Sequence, residues 1–274
     1  MSLKIWANVL VKNEDRYLWF AVSSAIDFVD KVFIWDTGSQ DKTLDIIKLL
    51  QEKYPNKIIF DQKGSQDADG ITALRQQMLE QSKCDWILLL DGDEIWWHKS
   101  LEESIKIIEE NSKSLYALVN PVFNLVGDIY HHQPESAGQY QLLGRKGHFN
   151  IRFINRQIPG LHIKGTYPLE GFYDSDEVLI QQQEDHLQFI DAPLLHCSHL
   201  SRSTLAHGDA AAVKRASKKK YQFGQKFAKN FKFPEVLSKP FPEIVPNPWI
   251  KMSLGYKIRA VAETPFRLLK RVIK

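Results

Sequence analysis

Asp91 and Asp93 bracket a glycine, and Glu94 follows directly. In an extended chain the two aspartate side chains point to the same side, and a pair of hard carboxylates, completed by diphosphate oxygens, suits Mg2+ or Mn2+. Asp-Gly also recurs in plain turns, so a simple chain reversal is the alternative reading. Position favours the metal, because this triplet ends the apolar run Trp86 to Leu90. Two further polar turns carry acids, Asn13-Glu14 and Asp36-Thr37-Gly38-Ser39. A carboxylate at a strand end can accept hydrogen bonds from a ribose or a base, while Gly38 and the amides of the following helix N-terminus can face phosphate. Together these turns describe a nucleotide cradle.

The segments that must position them alternate strand and helix. Strands are expected over Lys4 to Val11, Lys31 to Trp35, Lys57 to Asp61 and Trp86 to Leu90. Helices are expected over Glu14 to Phe28, from a cap at Ser39 or Asp41 to near Pro55, and over Ile71 to Gln81. Such alternation predicts a mostly parallel, Rossmann-like sheet covered by helices, with ligands beyond the carboxyl ends of the strands, where the three acidic turns lie. Further on, a helix is expected over Leu101 to Asn111 and strands over Tyr116 to Asn124, Phe149 to Asn155, Gly160 to Lys164 and Ala192 to Cys197. Gly127 to Gly147 lacks periodicity and reads as a mobile loop over the site. Trp96 and Trp97 read as packing under the sheet edge. Ser203 to Phe231 reads as an Ala- and Lys-rich helix, the five prolines from Pro234 to Pro248 as a stiff extended connector, and Trp249 to Lys274 as a basic helix interrupted or kinked at Pro265.

Composition bounds the class. The chain has 274 residues, 43% hydrophobic and 25% charged, which excludes a disordered or collagen-like polymer and permits one large or two small domains. Cys84 and Cys197 have no C-x-x-C spacing, and no basic segment with an apolar run opens the sequence, so a reduced, cytoplasmic protein is expected. No run approaches the ~18 apolar residues of a spanning helix. The net charge of +3 hides an asymmetry: residues 208–274 carry 16 basic and 4 acidic groups, and the first 207 residues are net acidic. The division expected is a domain over residues 1–207, with residues 1–100 as its nucleotide-binding half and 101–207 as its acceptor half, followed by a basic helical extension over 208–274.

Three runs in order, V-L-V-K-N-E-D-R-Y-L (Val9 to Leu18), D-T-G-S-Q-D-K-T (Asp36 to Thr43) and L-L-L-D-G-D-E (Leu88 to Glu94), resemble the family 2 glycosyltransferases of the GT-A fold. The resemblance covers about residues 4–200. It implies an α/β GT-A fold and an enzyme that moves a sugar, with inversion, from a nucleotide-sugar donor, UDP-linked, to an acceptor hydroxyl. It also implies that Asn13 and Glu14 lie by the nucleotide, Asp36 binds the uracil or ribose side, Asp69 and Arg75 close the base and diphosphate pocket, Asp91 touches ribose or sugar, and Asp93 ligates a Mn2+ or Mg2+ ion on the diphosphate. The family usually shows A-R-N near Arg75, where this chain reads Ala73-Leu74-Arg75-Gln76. I-R-F-I-N-R (Ile151 to Arg156) followed by L-E-G-F (Leu169 to Phe172) is similar to the segment in which an arginine-bearing strand precedes a His-Glu pair. Leu169 replaces the histidine and Glu170 remains as the expected base for the acceptor hydroxyl. Asp174, Asp176, Glu184 and Asp185 are rival bases, and a surface glutamate paired with Arg152 or Arg156 is the alternative.

His196 and His199 flank Cys197 beside a short apolar strand. A histidine after the last strand of this fold often reaches the metal or diphosphate, and His199 is taken as the ligand. Half-buried, backbone-satisfied histidines are the alternative, and two His and one Cys this close do not match a zinc site. The basic tail reads as a solvated face, a partner-binding helix or a membrane-surface element, since Trp249, Ile250, Leu254, Ile258, Val261 and Phe266 set an apolar face against the charge. No nucleic-acid motif accompanies it. The partners expected are a nucleotide-sugar donor and a carbohydrate or glycolipid acceptor, as in cell-envelope polysaccharide synthesis, with the tail resting at the inner membrane face. A nucleotidyltransferase or a non-catalytic sugar-nucleotide or membrane-binding scaffold would share the cradle. The first would need a Gly-rich triphosphate loop near the N-terminus, which the sequence lacks, and the second would have lost its acids.

Overall fold

The computed structural model describes residues 3–205 and 221–272. The first half alternates β1 (Ile5–Val11), α1 (Leu18–Ala25), β2 (Lys31–Asp36), α2 (Thr43–Lys53), β3 (Ile58–Gln62), α3 (Ala68–Gln81) and β4 (Trp86–Leu89). These four strands stand in the order β3-β2-β1-β4, every neighbouring pair parallel. The sequence explains the arrangement. Val9, Val11, Ile34 and Leu88 face a core shared with Ile46, Ile47 and Leu50 of α2, and Phe33 and Trp35 turn the other way onto Leu74 and Met78 of α3. A strand covered on both faces must be apolar along its length, as β4 is. Asp67 caps α3, accepting from the Gly70 amide at 2.8 Å, whereas the capping position of α2 is Lys42, without a side-chain cap, and Asp41 just before it accepts from the Thr43 amide at 2.9 Å.

Then come β5 (Glu94–Trp96), α4 (His98–Asn111), β6 (Ala117–Val126), β7 (Asp128–His132), β8 (Tyr140–Leu142), β9 (Arg145–Gly147), β10 (Phe149–Asn155), β11 (His162–Lys164), β12 (Gly171–Tyr173), β13 (Leu187–Phe189), β14 (Leu194–His199), β15 (Gln225–Lys226) and α5 (Leu254–Val272). β10 inserts antiparallel between β4 and β6, extending the parallel half into a mixed sheet. β14 runs parallel to β6 and antiparallel to β5, so it reaches back to the strand that follows the D-G-D turn. Trp96 is buried and meets the Phe153 ring edge-on at 5.8 Å, and Trp97 Nε1 donates to the Lys232 carbonyl at 2.8 Å.

Three expectations differ. Gly127 to Gly147 is not a structureless loop: it holds β7, which pairs with β6, and the β8–β9 hairpin. The hairpin strands are only three residues long, each with two exposed positions (Tyr140 and Gln141, Arg145 and Lys146), which is too short a run for an alternation to show in sequence. The helix expected over Ser203 to Phe231 is absent from its described part beyond residue 220, where β15 pairs with β7 instead; residues 206–220 of that expectation lie outside the described residues. The proline-rich stretch is not a free connector, because Val236, Leu237 and Val245 are buried in the main core beside Phe231 and Phe233. No helix among the described residues is long and apolar enough to cross a membrane.

Candidate active site

The carboxyl ends of β1 and β4 open onto a cavity of about 390 Å³, bounded on its far side by the loop before β12 and by β14. Its floor is the D-G-D turn. The Glu94 amide donates to the Asp91 carbonyl at 3.0 Å, closing the turn, and the Cys197 amide donates to the Asp93 carbonyl at 2.9 Å, tying it to β14. Gly92 sits in a tight place: a Cβ would stand 3.0 Å from Val11 Cγ1 and 3.1 Å from Glu14 Cγ, so those side chains would have to give slightly. The antiparallel register of β5 and β14 sets His196 opposite Glu94. Asp91, Asp93 and His196 thereby offer donor atoms that all lie within 4.8 Å of one another. Two carboxylate oxygens and an imidazole nitrogen suit a divalent ion such as Mn2+ or Mg2+.

Arginines surround these acids. Arg202, in the turn after β14, places Nη1 3.0 Å from Asp93 Oδ2 and 3.2 Å from Glu14 Oε1. Arg152 of β10 pairs with Glu94 and lies 3.4 Å from Asp91 Oδ2. Arg75 of α3 sets Nη2 3.8 Å from Asp91 Oδ1 and Nε 3.2 Å from Glu170 Oε1. Asp93 and Glu94 are fully buried, whereas the Asp91 side chain is 36% exposed toward the cavity. Burial pushes the Glu94 carboxyl up to about 7 against the pull of Arg152. For Asp91 the upward push of burial is outweighed by Arg152 and Arg75, which hold the carboxyl below its ordinary range. His196 is the reverse case: burial lowers it, but Asp93, 3.5 Å away, and Glu94 raise it above an ordinary imidazole. Perturbed ionisable groups gathered at one cavity make it a candidate functional site.

Of the residues singled out in the sequence, the fold brings Glu14, Arg75, Asp91, Asp93 and Glu170 into this cavity. Five others, Asn13, Asp36, Gly38, Asp69 and His199, do not line it. Asp36 is buried and spent on its own loop, accepting from the Gly38 amide at 2.9 Å and the Ser39 amide at 3.1 Å, so Thr37 rather than Asp36 faces the cavity. Gly38 adopts the left-handed φ of 87° that this loop requires. Asn13, itself at φ 55°, accepts from the Gln40 amide at 2.8 Å and braces the β1 and β2 turns together. Asp69 accepts from Thr166 Oγ1 at 2.8 Å and clips α3 to the loop that carries Glu170. The histidine assignment is also corrected. His196 meets Asp93, while His199, beyond an irregularity in the β14 register, lines a second cavity of about 440 Å³ with Arg16, Tyr256 and Arg259. Glu94, Arg152 and Arg202 are site residues that sequence reading did not assign. They lie far apart in the chain, and a lone arginine in or after a strand has no local pattern to betray it.

The curated relatives include a TPR repeat-containing protein of Synechococcus elongatus, 33% identical over 91 residues, or 31% of this chain and 19% of that one. The SPbeta prophage-derived glycosyltransferase SunS of Bacillus subtilis is 24% identical over 144 residues, 47% of this chain and 33% of that one. The chain thus spans a third or less of the length of these relatives. Among solved structures it is similar to S. aureus TarS 1-349 in complex with UDP-GlcNAc, at 15% identity and TM-score 0.48 over 79% of this chain and 69% of that one. The family model for glycosyl transferase family 2 matches residues 8–165, which take in the carboxyl end of β1 and β2 through β11, including the D-G-D turn. The match covers more than half of the chain, and this chain belongs to glycosyl transferase family 2.

Proposed function

We propose that this protein transfers a sugar, with inversion, from a UDP-linked donor to a hydroxyl of a carbohydrate or glycolipid acceptor, with Mn2+ or Mg2+ at Asp91, Asp93 and His196. The observation that carries this reading is one cavity that holds the D-G-D carboxylates and His196 on its floor and Glu170 on its far wall. A bound divalent ion would neutralise charge developing on the departing diphosphate. The chain's own residues do the rest. Glu14 and Thr37, at the ends of β1 and β2, lie where the nucleoside would be received. Arg75 and Arg202 present guanidinium groups to the same cavity, fixed in place by Asp91, Glu170, Asp93 and Glu14, and preorganised cations of this kind stabilise a leaving diphosphate without reorganising during the reaction. Glu170 lines the same cavity and its Oε1 is held 3.2 Å from Arg75 Nε, which sets a carboxylate beside the space where an acceptor hydroxyl would be deprotonated.

Donor turnover tests this without an acceptor in hand. With UDP-glucose, UDP-GlcNAc and UDP-galactose plus Mn2+, the native protein should release UDP slowly by hydrolysis of at least one, and Asp93→Asn should abolish that release. Equal release by the variant, or release by neither, would remove the D-G-D turn from the chemistry.

A further inference from the structure

A surface helix ordinarily turns its apolar stripe toward the core. α5 does the opposite. Leu254, Ile258 and Val261, spaced four and three residues apart on one face, are 74%, 64% and 63% exposed, and Phe266 on the same helix is 68% exposed. The body-facing side is small or polar. Ala260 is buried, Tyr256 Oη donates to the Gln222 carbonyl at 3.0 Å and Arg259 Nη1 donates to Tyr221 Oη at 3.0 Å, while just before the helix Met252 is buried and its amide donates to Asp128 Oδ2 at 3.0 Å. Gly127 lets the helix approach this closely, since a Cβ there would stand 2.5 Å from Met252 Cε and 2.8 Å from Tyr256 Cε1. The helix is therefore firmly docked and still presents its apolar residues outward, an arrangement that leaves a patch in need of a partner.

Charge identifies that partner. Residues 249–274 carry seven basic groups and one acid, Glu263. Two copies of this chain meeting on the same face would bring like charges together, whereas anionic lipid headgroups complement them. We propose that α5 lies on an anionic bilayer surface, with Leu254, Ile258 and Val261 in the acyl boundary and Lys251 and Lys257 at phosphate level. Contact of this type is interfacial and needs no spanning segment. It holds whether or not the cavity under the D-G-D turn is catalytic, because none of its residues lines that cavity.

The test is co-sedimentation of the full chain with vesicles of equimolar phosphatidylglycerol and phosphatidylcholine, and with phosphatidylcholine alone. Native protein should bind the mixed vesicles at least about tenfold more tightly than neutral ones, and the triple variant Leu254→Ser/Ile258→Ser/Val261→Ser should lose at least about tenfold in affinity for the mixed vesicles. Because those side chains are exposed, the thermal midpoint should not fall, which separates lost binding from lost folding. Equal sedimentation of native and variant protein, or none of the native protein, would overturn the proposal. Light scattering without lipid that finds a native dimer and a monomeric triple variant would assign the face to a second copy instead and overturn it as well.

Discussion

Arg202 Nη1 lies 3.0 Å from Asp93 Oδ2, joining the turn after β14 to the turn after β4. Asp93 is fully buried and Arg202 nearly so, so the carboxylate is held in the fold by a guanidinium that also reaches Glu14. Removing one partner of a buried pair leaves an uncompensated charge, at a cost of about 3–5 kcal/mol. Arg202→Ala should therefore lower the urea midpoint markedly. With its counter-charge gone, Asp93 should gain more from a divalent ion, so Mn2+ should raise the melting temperature of the variant by more than that of the native protein. Equal shifts would mean that Asp93 does not hold the ion.

Glu94 gives a pH prediction. Its carboxyl is pushed up to about 7 in the fold, whereas an unfolded glutamate titrates near about 4.3. A carboxyl that protonates more readily in the folded state contributes stability that is fully present below the unfolded value and is lost as pH rises through about 7. His196, raised above an ordinary imidazole, acts in the same direction. The metal-free protein should lose stability between about pH 5 and pH 8. Glu94→Gln should flatten that slope in urea titrations, and an unchanged slope would contradict the assignment.

Gly92→Ala should act on the cavity without touching a charge. The added methyl meets Val11 Cγ1 at 3.0 Å and Glu14 Cγ at 3.1 Å, so either the turn or Glu14 must move. Overpacking of this kind costs about 1–3 kcal/mol. UDP affinity should fall with stability, and native affinity in a stably folded variant would show that Glu14 does not touch the nucleotide.

Much of this architecture was legible from sequence because it is local. The parallel half follows from apolar runs separated by capped helices, and the D-G-D turn announces itself by following β4. Pairings between distant strands were not legible. His196 and His199 are three residues apart, and only the β5–β14 register with its irregularity shows which one meets Asp93. Asp36 looked available in sequence, yet a carboxylate two residues before a glycine amide is readily consumed by its own loop, as it is here. Arg152 and Arg202 come 58 and 109 residues after Glu94 and Asp93, and nothing within a local window connects them.

Glu170→Gln separates binding from transfer. The amide keeps the shape and can still meet Arg75, 3.2 Å away, but cannot take a proton. Donor affinity should stay within a few-fold of native while transfer to acceptor falls about 10²–10⁴-fold. Near-native transfer would place the base elsewhere.

The central claim is a metal-dependent nucleotide cradle at Asp91, Asp93 and His196. Calorimetric titration of the native protein with UDP, GDP and CDP, each with and without Mn2+, tests it most directly. The expected result is binding of UDP that strengthens at least about tenfold with Mn2+ and loses that dependence in Asp93→Asn. Absence of binding by every nucleotide, or binding indifferent to both metal and Asp93, would contradict it.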